Sequence, residues 1–593
     1  MDVYDAFLIE TDLNSKSNHL TDCFEAFSIY QRLDEDLDVS TGLHPFAFSA
    51  RANAEDTPRF HEAMKSPDRE GFISAMKKEL AQLASMDAFV AVPREKALNE
   101  GKSVIDSVWD FKRKRYPDGS VKKLKARFCV RGDLQKEHID YFDTYSPVVQ
   151  WSTVRLLLIV SIILQLETKQ VDFTLAFVQA KADPGIYIEM PRMFEMDGYV
   201  LELKRNLYGQ CDAPLKFYEH LKLGLSQRGF EPSKFDPCLF KSKDTMILTY
   251  IDDCIFFNKK KQAIDGVISS LRKDEIDGRR VEEFILEVEG DYAGFLGISI
   301  TECTSVTGAL ELLQTGLIDK ILVTLSLDDE FTTTRSEPAA VQTLGKDENG
   351  PARREHWSYS SVVGMMLYLA SNSRPDIAFA VNQCARFSHC PKLVHEKALE
   401  RIARYLKGTK TQDLILKPNQ DLRLDLYADA DFAGLWKIED ADDPISVRSR
   451  TGYIVTLSGL PVSWSSKLQT EIATSTMMAE YVALSTGMRE LLPLTELFNE
   501  ICSSLKIKRT EKSKVVRAFE DNEGALSLAS KPLPQCTPRS KHFAVKYHWF
   551  REKLQQHKIK ILPIDTSLQQ ADIFTKGLGR KEFQEKRLLL MGW

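Results

Sequence analysis

The chain has 593 residues and a mass of 67.5 kDa, a length that predicts about four domain-sized units rather than one core. Its composition, 43% hydrophobic and 28% charged, excludes collagen-like, mucin-like and wholly disordered proteins. The formal net charge is −6, but residues 1–57 hold twelve acidic and three basic side chains, which leaves +3 for the rest. The net charge therefore does not exclude a nucleic-acid partner.

The sequence indicates a soluble intracellular protein. The longest apolar run, residues 156–164, is far shorter than the ~20 residues of a membrane span. The first residues include Asp2 and Asp5 and no basic stretch, so we expect neither a signal peptide nor secretion. The closest of the ten cysteines, Cys384 and Cys390, do not form a CxxC pair, which favours reduced thiols over disulfides or a zinc ribbon.

The N-terminal half opens with a predicted acidic, partly disordered extension over residues 1–57, followed by a helix with Phe72 and Met76 on one face. Residues 107–115 and 121–131 then predict a basic hairpin joined by a Tyr116–Gly119 turn. Such a hairpin is either a solvated surface or a phosphate-binding surface. Its basic residues are Lys112, Arg113, Lys114, Arg115, Lys122, Lys123, Lys125, Arg127 and Arg131.

Later elements alternate between helix and strand, without an internal repeat. A second helical stretch over residues 359–407 is interrupted at Arg374-Pro375-Asp376, and a separate strand-rich, then helical, unit begins near Leu422. The elements between the two helical stretches are a helix over 153–166 capped by Ser152 or Thr153, strands at 169–173 and 186–190, a helix over 214–229, and a hairpin of two buried strands, 238–241 and 246–257.

Two adjacent carboxylates, Asp252 and Asp253, stand between apolar stretches. A hairpin turn would explain them, but Ile and Cys flank the pair where a turn favours Gly or Asn. Paired charges in apolar surroundings are costly unless a cation neutralises them. A third acid, Asp172, ends another apolar strand, and aspartates from two strands holding two Mg²⁺ ions are the arrangement that nucleotidyl transfer requires.

Six ordered blocks resemble the reverse transcriptase of Ty1/copia-type LTR retrotransposons, and the resemblance runs from about Ser66 almost to the C-terminus. The blocks are Lys125-Ala126-Arg127, Tyr145-Ser146-Pro147-Val148, Val171-Asp172-Phe173-Thr174-Leu175-Ala176-Phe177, Leu207-Tyr208-Gly209, Tyr250-Ile251-Asp252-Asp253 and Phe295-Leu296-Gly297-Ile298.

The resemblance implies roles for these residues. Asp172, Asp252 and Asp253 would be the catalytic metal ligands, with Asp253 the weaker contributor. Lys125 and Arg127 would hold the triphosphate of the incoming dNTP, where Arg offers bidentate contacts. Phe177 would exclude a ribose 2′-hydroxyl, although core packing is its alternative explanation. Tyr208 and Gly209 would lie under the base, and Leu296-Gly297 would form the primer grip.

A second set of acids follows: Asp429 at the end of a strand, Glu480 in a long helix, Asp521 after another strand and Asp572 opening a C-terminal helix. Taken singly, each has an ordinary explanation as a helix cap or a solvated helix face. In this order they resemble ribonuclease H fused behind the polymerase. The resemblance implies that Asp429, Glu480, Asp521 and Asp572 bind two Mg²⁺ ions, with Asp431 as an alternative to Asp429.

The chain departs from the family pattern at a few positions. Asp212 replaces the usual Gln before Ala213-Pro214, and an acid there would mildly repel the template-primer. Met478 replaces a second acid before Glu480, Phe432 replaces Trp, and Ile251 replaces Val.

The resemblance implies an α+β fold, with a right-hand polymerase of fingers, palm and thumb, then a helical connection and an α/β ribonuclease H-like domain. We expect fingers and palm over 58–320, thumb or connection over 321–420, and the nuclease over 421–593. Capsid, protease and integrase motifs are absent from the sequence, so we expect the polymerase–nuclease portion of a Pol polyprotein.

The predicted function is RNA-directed DNA synthesis with hybrid-specific RNA cleavage, and Mg²⁺ as cofactor, two ions per site, with Mn²⁺ as substitute. The predicted partners are an RNA template, a DNA or tRNA primer, RNA/DNA hybrid and dNTPs, without a membrane. A homodimer, or association with the element's integrase and capsid proteins, is also implied. The expected location is a cytoplasmic virus-like particle, with the nucleus as alternative. Two other functions stay open: a catalytically dead remnant and a nuclease-only enzyme.

Overall fold

The computed structural model describes residues 56–115, 121–290, 294–304, 306–354, 356–412, 414–419, 421–436, 445–532, 535 and 547–593. None of the helices in these ranges combines the length and the apolar character that a membrane crossing requires. The predicted acidic extension, except for its last two residues, and the predicted turn at Tyr116–Gly119 lie outside the described residues.

The first part of the chain combines a small sheet with the predicted basic hairpin. The elements are α1 (Phe60–Lys65), α2 (Arg69–Ser85), β1 (Phe89–Pro93), α3 (Arg94–Asn99), β2 (Val104–Ile105), β3 (Ser107–Arg115) and β4 (Val121–Val130). Strands β3 and β4 pair antiparallel, and helix α2 buries Phe72, Met76, Leu80 and Leu83 on one face. The predicted hairpin and helix are therefore confirmed.

A six-stranded sheet carries the first group of acids. The elements of this part are α4 (Trp151–Leu164), β5 (Glu167–Phe173), α5 (Ala176–Gln179), β6 (Tyr187–Ile188), β7 (Tyr199–Leu203), α6 (Ala213–Ser226), β8 (Glu231–Pro232), β9 (Leu239–Ser242), β10 (Thr245–Tyr250), β11 (Asp253–Asn258), α7 (Lys261–Leu271), β12 (Glu275–Ile276), β13 (Arg279–Arg280) and β14 (Leu286–Gly290). The sheet order is β14-β5-β11-β10-β9-β8, whereas β6 and β7 join β1 and β2 in the small sheet.

Helix α4 is mostly apolar and buried on every side, and residues 156–160 are fully buried because the helix lies between the sheet and the C-terminal part of the chain. The cap predicted at Ser152 or Thr153 is wrong, since the helix begins at Trp151. The Gln150 N–H before it donates to the carboxylate of Asp236, 3.2 Å away. A side chain from a distant loop thus replaces the local cap.

The middle of the chain is mainly helical. It contains β15 (Ser299–Glu302), β16 (Leu310–Leu313), α8 (Thr315–Thr324), α9 (Tyr359–Asn372), α10 (Ala378–Ala385), α11 (Leu393–Gly408) and β17 (Leu414–Leu416). The predicted interruption after residue 373 is confirmed, but residues 386–392 add a second break that the sequence pattern did not indicate.

The C-terminal part is built on a five-stranded mixed sheet. Its elements are β18 (Leu424–Asp431), β19 (Arg450–Leu457), β20 (Leu460–Leu468), α12 (Thr476–Ser504), β21 (Val516–Glu520), α13 (Glu523–Ala529), α14 (Lys553–Gln556), β22 (Ile559–Pro563) and α15 (Arg580–Met591). The order is β20-β19-β18-β21-β22, with antiparallel pairing from β20 to β18 and parallel pairing from β18 to β22.

Candidate active sites

Strand pairing brings the first three acids to one end of the six-stranded sheet. Strands β5 and β11 are antiparallel, and their register places Asp172 directly opposite Asp253. Asp252 lies in the turn before β11, and its carbonyl accepts a hydrogen bond from the Phe173 N–H at 2.9 Å. Asp172 and Asp253, far apart in sequence, are therefore neighbours in space.

The hairpin that presents Asp252 contains a strained residue. Ile251 has a φ of 53°, a left-handed conformation that is unfavourable for a β-branched side chain. The turn at Ile251-Asp252 was disfavoured by its sequence, because neither residue is Gly or Asn, and that expectation is wrong. Strain of this kind persists where the surrounding structure fixes the backbone, and it is frequent at active sites.

The three carboxylates lie in negatively charged, partly buried surroundings. Burial, followed by the charges of Asp252 and Asp172, raises the pKa of Asp253 to about 7. The pKa of Asp172 is raised by burial, then by Asp252, Glu289 and Glu287, and Glu287 is its partner in the β14 register. A divalent cation with oxygen ligands would neutralise this charge, so the donor set fits Mg²⁺ or Mn²⁺.

Two basic side chains of the hairpin, together with the rings of Tyr208 and Phe177, lie beside these acids. The Arg127 guanidinium stacks over the Tyr208 ring at 4.5 Å from the centroid, and Phe177 meets the same ring edge-on at 5.2 Å. Burial raises the pKa of Asp252, and the charges of Arg127 and Lys125 oppose that effect. Burial, followed by the charge of Arg127, lowers the pKa of Lys125 itself to about 8.

Gly209 allows β4 to approach the segment that carries Tyr208. Its φ is 89°, and a Cβ atom there would lie 2.2 Å from the Val130 carbonyl oxygen. The Val130 N–H donates to the Tyr208 carbonyl at 2.8 Å in the same contact. Gly209 therefore contributes by allowing close backbone packing. Tyr208 is held both by the ring contacts with Arg127 and Phe177 and by this backbone hydrogen bond.

The predicted primer-grip residues form a tight turn. Leu296 and Gly297 both have positive φ, 56° and 73°, between Phe295 and Ile298, whose backbone groups exchange hydrogen bonds of 2.9 and 3.0 Å. The neighbouring Gly294 carbonyl accepts from Gln170 Nε2 at 2.7 Å. Because a hydrogen bond from Gln170 also lowers the pKa of Asp253, this side chain connects the turn to the acids.

Three of the four C-terminal acids converge. Asp429 lies inside β18, which ends at Asp431, and Asp521 follows the parallel neighbour β21. Glu480 lies in the second turn of α12, which packs against β18. Carboxylate oxygens of these three lie within 4.8 Å of one another. The group contains Asp429 and not Asp431, and its all-oxygen donors fit a hard divalent cation.

Asp572 lies outside this group of three. Its carboxylate forms ion pairs with Lys576 at 2.7 Å and with the buried Lys586 at 3.2 Å. The residue stands in a 3-10 turn over Gln570–Phe574, and the C-terminal helix begins only at Arg580. The expectation that Asp572 opens that helix is wrong, because these lysine contacts hold the segment in a separate turn.

Burial and mutual repulsion raise the pKa values of two of the converging acids. Burial, then the charge of Asp572, raises the pKa of Asp429 to about 7, although Thr575 donates a hydrogen bond to its carboxylate. Burial, followed by Asp429 and Glu520, raises the pKa of Glu480 to about 11. Such a group favours a bound cation.

The family of the N-terminal half follows from its match to a family model. Residues 94–338 match the model described as reverse transcriptase (RNA-dependent DNA polymerase). Residues 94–338 form a reverse transcriptase domain. The predicted α+β polymerase fold is thereby confirmed, since the domain contains the mixed helices and strands described above.

The curated relatives that this chain resembles are retrotransposon polyproteins. It is 30% identical to the retrovirus-related Pol polyprotein from transposon TNT 1-94 of Nicotiana tabacum, over 88% of this chain and 38% of that protein. It is 31% identical to the retrovirus-related Pol polyprotein from transposon RE1 of Arabidopsis thaliana, over 81% of this chain and 31% of that protein. It is 26% identical to the transposon Ty1-DR1 Gag-Pol polyprotein of Saccharomyces cerevisiae, over 89% of this chain and 29% of that protein. The predicted resemblance to Ty1/copia-type Pol polyproteins is confirmed.

The chain spans about a third of the length of these curated relatives. Among solved structures it is similar to the foamy viral protease-reverse transcriptase dRH in complex with ds DNA. That match has 13% identity and a TM-score of 0.40, and it covers 84% of this chain and 82% of the other.

Asp212 of the reverse transcriptase domain is buried. Its side chain is 1% exposed at the N-terminus of α6, and burial raises its pKa. Neither carboxylate oxygen has a hydrogen-bond partner among the described residues. The side chain therefore does not present an exposed charge to a nucleic acid in this conformation.

Sequence reasoning did not identify several acids and one amide near the two sites. Glu79 of α2 is buried beside Arg127 and Lys125, and Gln170 interacts with Asp253. Glu520 is fully buried next to Asp521, and burial raises its pKa to about 8. A signal existed only for Glu79 and Glu520, as charged residues within otherwise apolar periodic patterns.

Proposed function

We propose that this chain is an RNA-directed DNA polymerase with a C-terminal ribonuclease H, which copies element RNA into DNA and degrades the RNA strand of the hybrid. The observation that carries the proposal is the convergence of Asp172, Asp252 and Asp253 within a reverse transcriptase domain. The group of Asp429, Glu480 and Asp521 supports the nuclease activity. The proposed domains are fingers and palm over 58–320, thumb or connection over 321–420, and nuclease over 421–593.

The residues of the proposed polymerase site would have three roles: metal binding, triphosphate binding and restriction of the space beside the ribose. Asp172, Asp252 and Asp253 would hold divalent ions, which when bound lower the pKa of the primer 3′-hydroxyl and stabilise in-line phosphoryl transfer. Lys125 and Arg127 would hold the triphosphate, and the stacking on Tyr208 would orient the Arg127 guanidinium. Phe177, packed edge-on against Tyr208, would restrict the space beside the ribose.

In the nuclease, Asp429, Glu480 and Asp521 would hold the ions that activate water for attack on the RNA phosphodiester. We propose two Mg²⁺ ions per site, with Mn²⁺ as a substitute and Asp572 as the fourth acid. The Thr575 hydroxyl would orient the carboxylate of Asp429, to which it donates a hydrogen bond. Lys576 and Lys586 would hold the carboxylate of Asp572.

The proposed substrates are an RNA template, a DNA or tRNA primer, dNTPs and RNA/DNA hybrid. The exposed Lys112, Lys114, Lys122 and Lys123 of the hairpin support phosphate contact. We further propose action within a cytoplasmic virus-like particle, with the nucleus as alternative, and either a homodimer or association with the element's integrase and capsid proteins.

The test is Mg²⁺-dependent extension of a DNA primer on an RNA template. Wild type should extend the primer and cleave the RNA, whereas Asp252→Ala/Asp253→Ala should lose extension only. Cleavage without extension in wild type, abolished by Asp429→Ala, would favour a nuclease-only enzyme. The absence of both activities in a folded, Mg²⁺-binding protein would indicate a catalytically dead remnant.

A further inference from the structure

The C-terminal end of α9 is a junction between three parts of the chain. The last four carbonyls of a helix lack partners within the helix and need other donors. In α9 the Leu369 carbonyl accepts from the Ser373 and Arg374 N–H groups. The next three carbonyls accept instead from side chains of α4 and β20, far away in sequence, so this helix end is completed by tertiary contacts.

Arg155 of α4 supplies most of these donors. Its Nη1 lies 3.1 Å from the carbonyl oxygens of both Ser371 and Asn372, and its Nε donates at 2.7 Å to the carbonyl of Val462 in β20. The side chain is only 4% exposed. A guanidinium is suited to this task because its donors point in fixed directions. Through Arg155, helix α4, which packs on the six-stranded sheet, is bound both to α9 and to β20 of the five-stranded sheet of the proposed nuclease (the nuclease sheet).

Trp464 of β20 completes the contact from the nuclease side. Its indole N–H donates to the Ala370 carbonyl at 2.7 Å, and its ring lies under the Arg155 guanidinium at 4.0 Å. The ring is 6% exposed. Because a buried guanidinium that stacks on a ring and donates to three backbone carbonyls has little freedom to move, we infer that β20 is held in one placement relative to α4.

The same helix end reaches the proposed primer grip. The Tyr368 hydroxyl donates to the Leu296 carbonyl at 2.6 Å, and Tyr368 is 5% exposed. Residues 368–372 therefore contact the turn that would hold the primer on one side and the nuclease sheet on the other. A second contact, between Lys241 of β9 and Glu500 of α12 at 2.5 Å, restricts rotation about this junction.

We propose that Arg155, Trp464 and Tyr368 are positioning residues, which fix the distance along a hybrid between the primer terminus and the RNA phosphate that the nuclease cuts. The proposal rests on the proposed function, since it assumes both activities. It predicts that loosening the junction changes where RNA is cut, with less effect on whether it is cut.

The experiment uses the full chain and an end-labelled RNA annealed to a DNA primer with a recessed 3′ end, with Mg²⁺ and without dNTPs. Wild type should give one dominant cut at a constant distance from the primer terminus. Arg155→Leu, Trp464→Phe and Tyr368→Phe should spread the cuts over neighbouring positions and lower the dominant fraction by about threefold. Arg155→Lys, which keeps the charge, should restore part of the single cut.

Arg228→Leu is the matched control. Arg228 also donates to several backbone carbonyls, but those of Gly224, Ser270, Lys273 and Glu282 all lie within the polymerase sheet region. It should keep the single cut position. Calorimetry of each variant in the same buffer checks folding, and loosening the junction should split a single unfolding transition of wild type into two.

The outcomes separate the two proposals. A sharp cut at the wild-type distance in folded Trp464→Phe and Tyr368→Phe, with one unfolding transition, would overturn the positioning role and leave the proposed function intact. Loss of extension and cleavage in wild type would overturn the proposed function. Calorimetry would then still decide the junction, because an unsplit transition in Arg155→Leu contradicts it.

Discussion

Gly209 contributes to the polymerase site because it has no side chain where two backbone segments meet. An alanine there would combine a left-handed backbone with a Cβ 2.2 Å from a carbonyl oxygen. We expect Gly209→Ala to lower the free energy of unfolding by about 3 kcal/mol and to weaken dNTP binding, because the Tyr208 segment must shift. Denaturant unfolding and a dNTP titration measure both effects.

Gly198→Ala is the control for backbone strain alone. Gly198 has a similar φ of 78°, but a Cβ there would meet nothing within 4 Å. This variant should lose only about 1 kcal/mol and keep its dNTP affinity. Equal destabilisation of the two variants would show that the close approach to Val130 does not matter.

Lys125 gives a pH dependence with a defined sign. The pKa of this amine is lowered to about 8, by burial first and then by Arg127, so its positive charge is present below that pH and lost above it. The apparent dissociation constant of dNTP, from single-turnover incorporation, should rise about tenfold between about pH 8 and pH 9.5.

Two substitutions isolate the contribution of Lys125. Lys125→Arg stays charged throughout this range and should remove the rise, whereas Lys125→Met should bind dNTP weakly at every pH. The same rise in Lys125→Arg would mean that another group titrates, and the triphosphate role of Lys125 would then be wrong.

The sequence predicted only some of the residues that form the two candidate sites. The acids and Gly209 stand in local motifs, and motifs can be recognised in one sequence. Gln170 could not be predicted as a site residue, because it reaches Asp253 through a contact between paired strands. Glu79 and Glu520 interrupt apolar patterns, which marks them as unusual but does not identify the groups they approach. Burial of Asp212 likewise depends on packing around α6 that no local pattern records.

At the scale of elements, the C-terminal acid group predicts stabilisation by metal. Strands β18 and β21 and helix α12 each present one carboxyl group, and oxygens of the three lie within 4.8 Å of one another. Burial and mutual repulsion raise the pKa values of Asp429 and Glu480, so ionising the group costs free energy that a bound cation would offset. A ligand that binds only the folded state raises its stability by mass action. Mg²⁺ should therefore raise the midpoint of thermal unfolding.

Asp429→Asn tests which acids cause this stabilisation. It should unfold at a higher temperature than wild type in EDTA, since one repelling charge is removed, and should gain less from Mg²⁺. The polymerase acids remain in this variant and should retain their share of the Mg²⁺ effect. An Mg²⁺ response identical to that of wild type would exclude Asp429 as a ligand.

Secondary structure followed from local periodicity more closely than boundaries and caps did. Helix α2 has the predicted apolar face, and the bounds of the β3–β4 hairpin were predicted within one residue. The start of α4 was missed because Asp236 provides the cap from another element, and the turn at Ile251 was missed because its strain is sustained by the neighbouring strands. The pairing of Asp172 with Asp253 is a matter of register, which motif order suggested but strand sequences alone do not determine.

At the scale of the whole molecule, charge predicts how binding depends on salt. The exposed lysines of the hairpin suit phosphate contacts, and such contacts release counterions. Affinity for an RNA/DNA hybrid should fall about a hundredfold or more between about 50 mM and about 200 mM salt. Equal binding at the two concentrations would contradict a phosphate-dominated interface.

Exposed lysines elsewhere provide a matched comparison. Lys112→Gln/Lys114→Gln should reduce the slope of log affinity against log salt by about two. Lys508→Gln/Lys512→Gln removes the same charge before β21, at the end of that strand opposite the nuclease acids, and should leave the slope unchanged. Fluorescence anisotropy with a labelled hybrid measures both slopes.

The most direct test of the account is a reciprocal loss of two activities on one substrate, an RNA template with a labelled DNA primer in Mg²⁺. We expect Asp252→Asn to abolish primer extension and retain RNA cleavage, and Asp429→Asn to retain extension and abolish cleavage. Wild type should perform both reactions. If either substitution in a folded protein removed both activities or neither, the assignment of two separate metal centres to this chain would be contradicted.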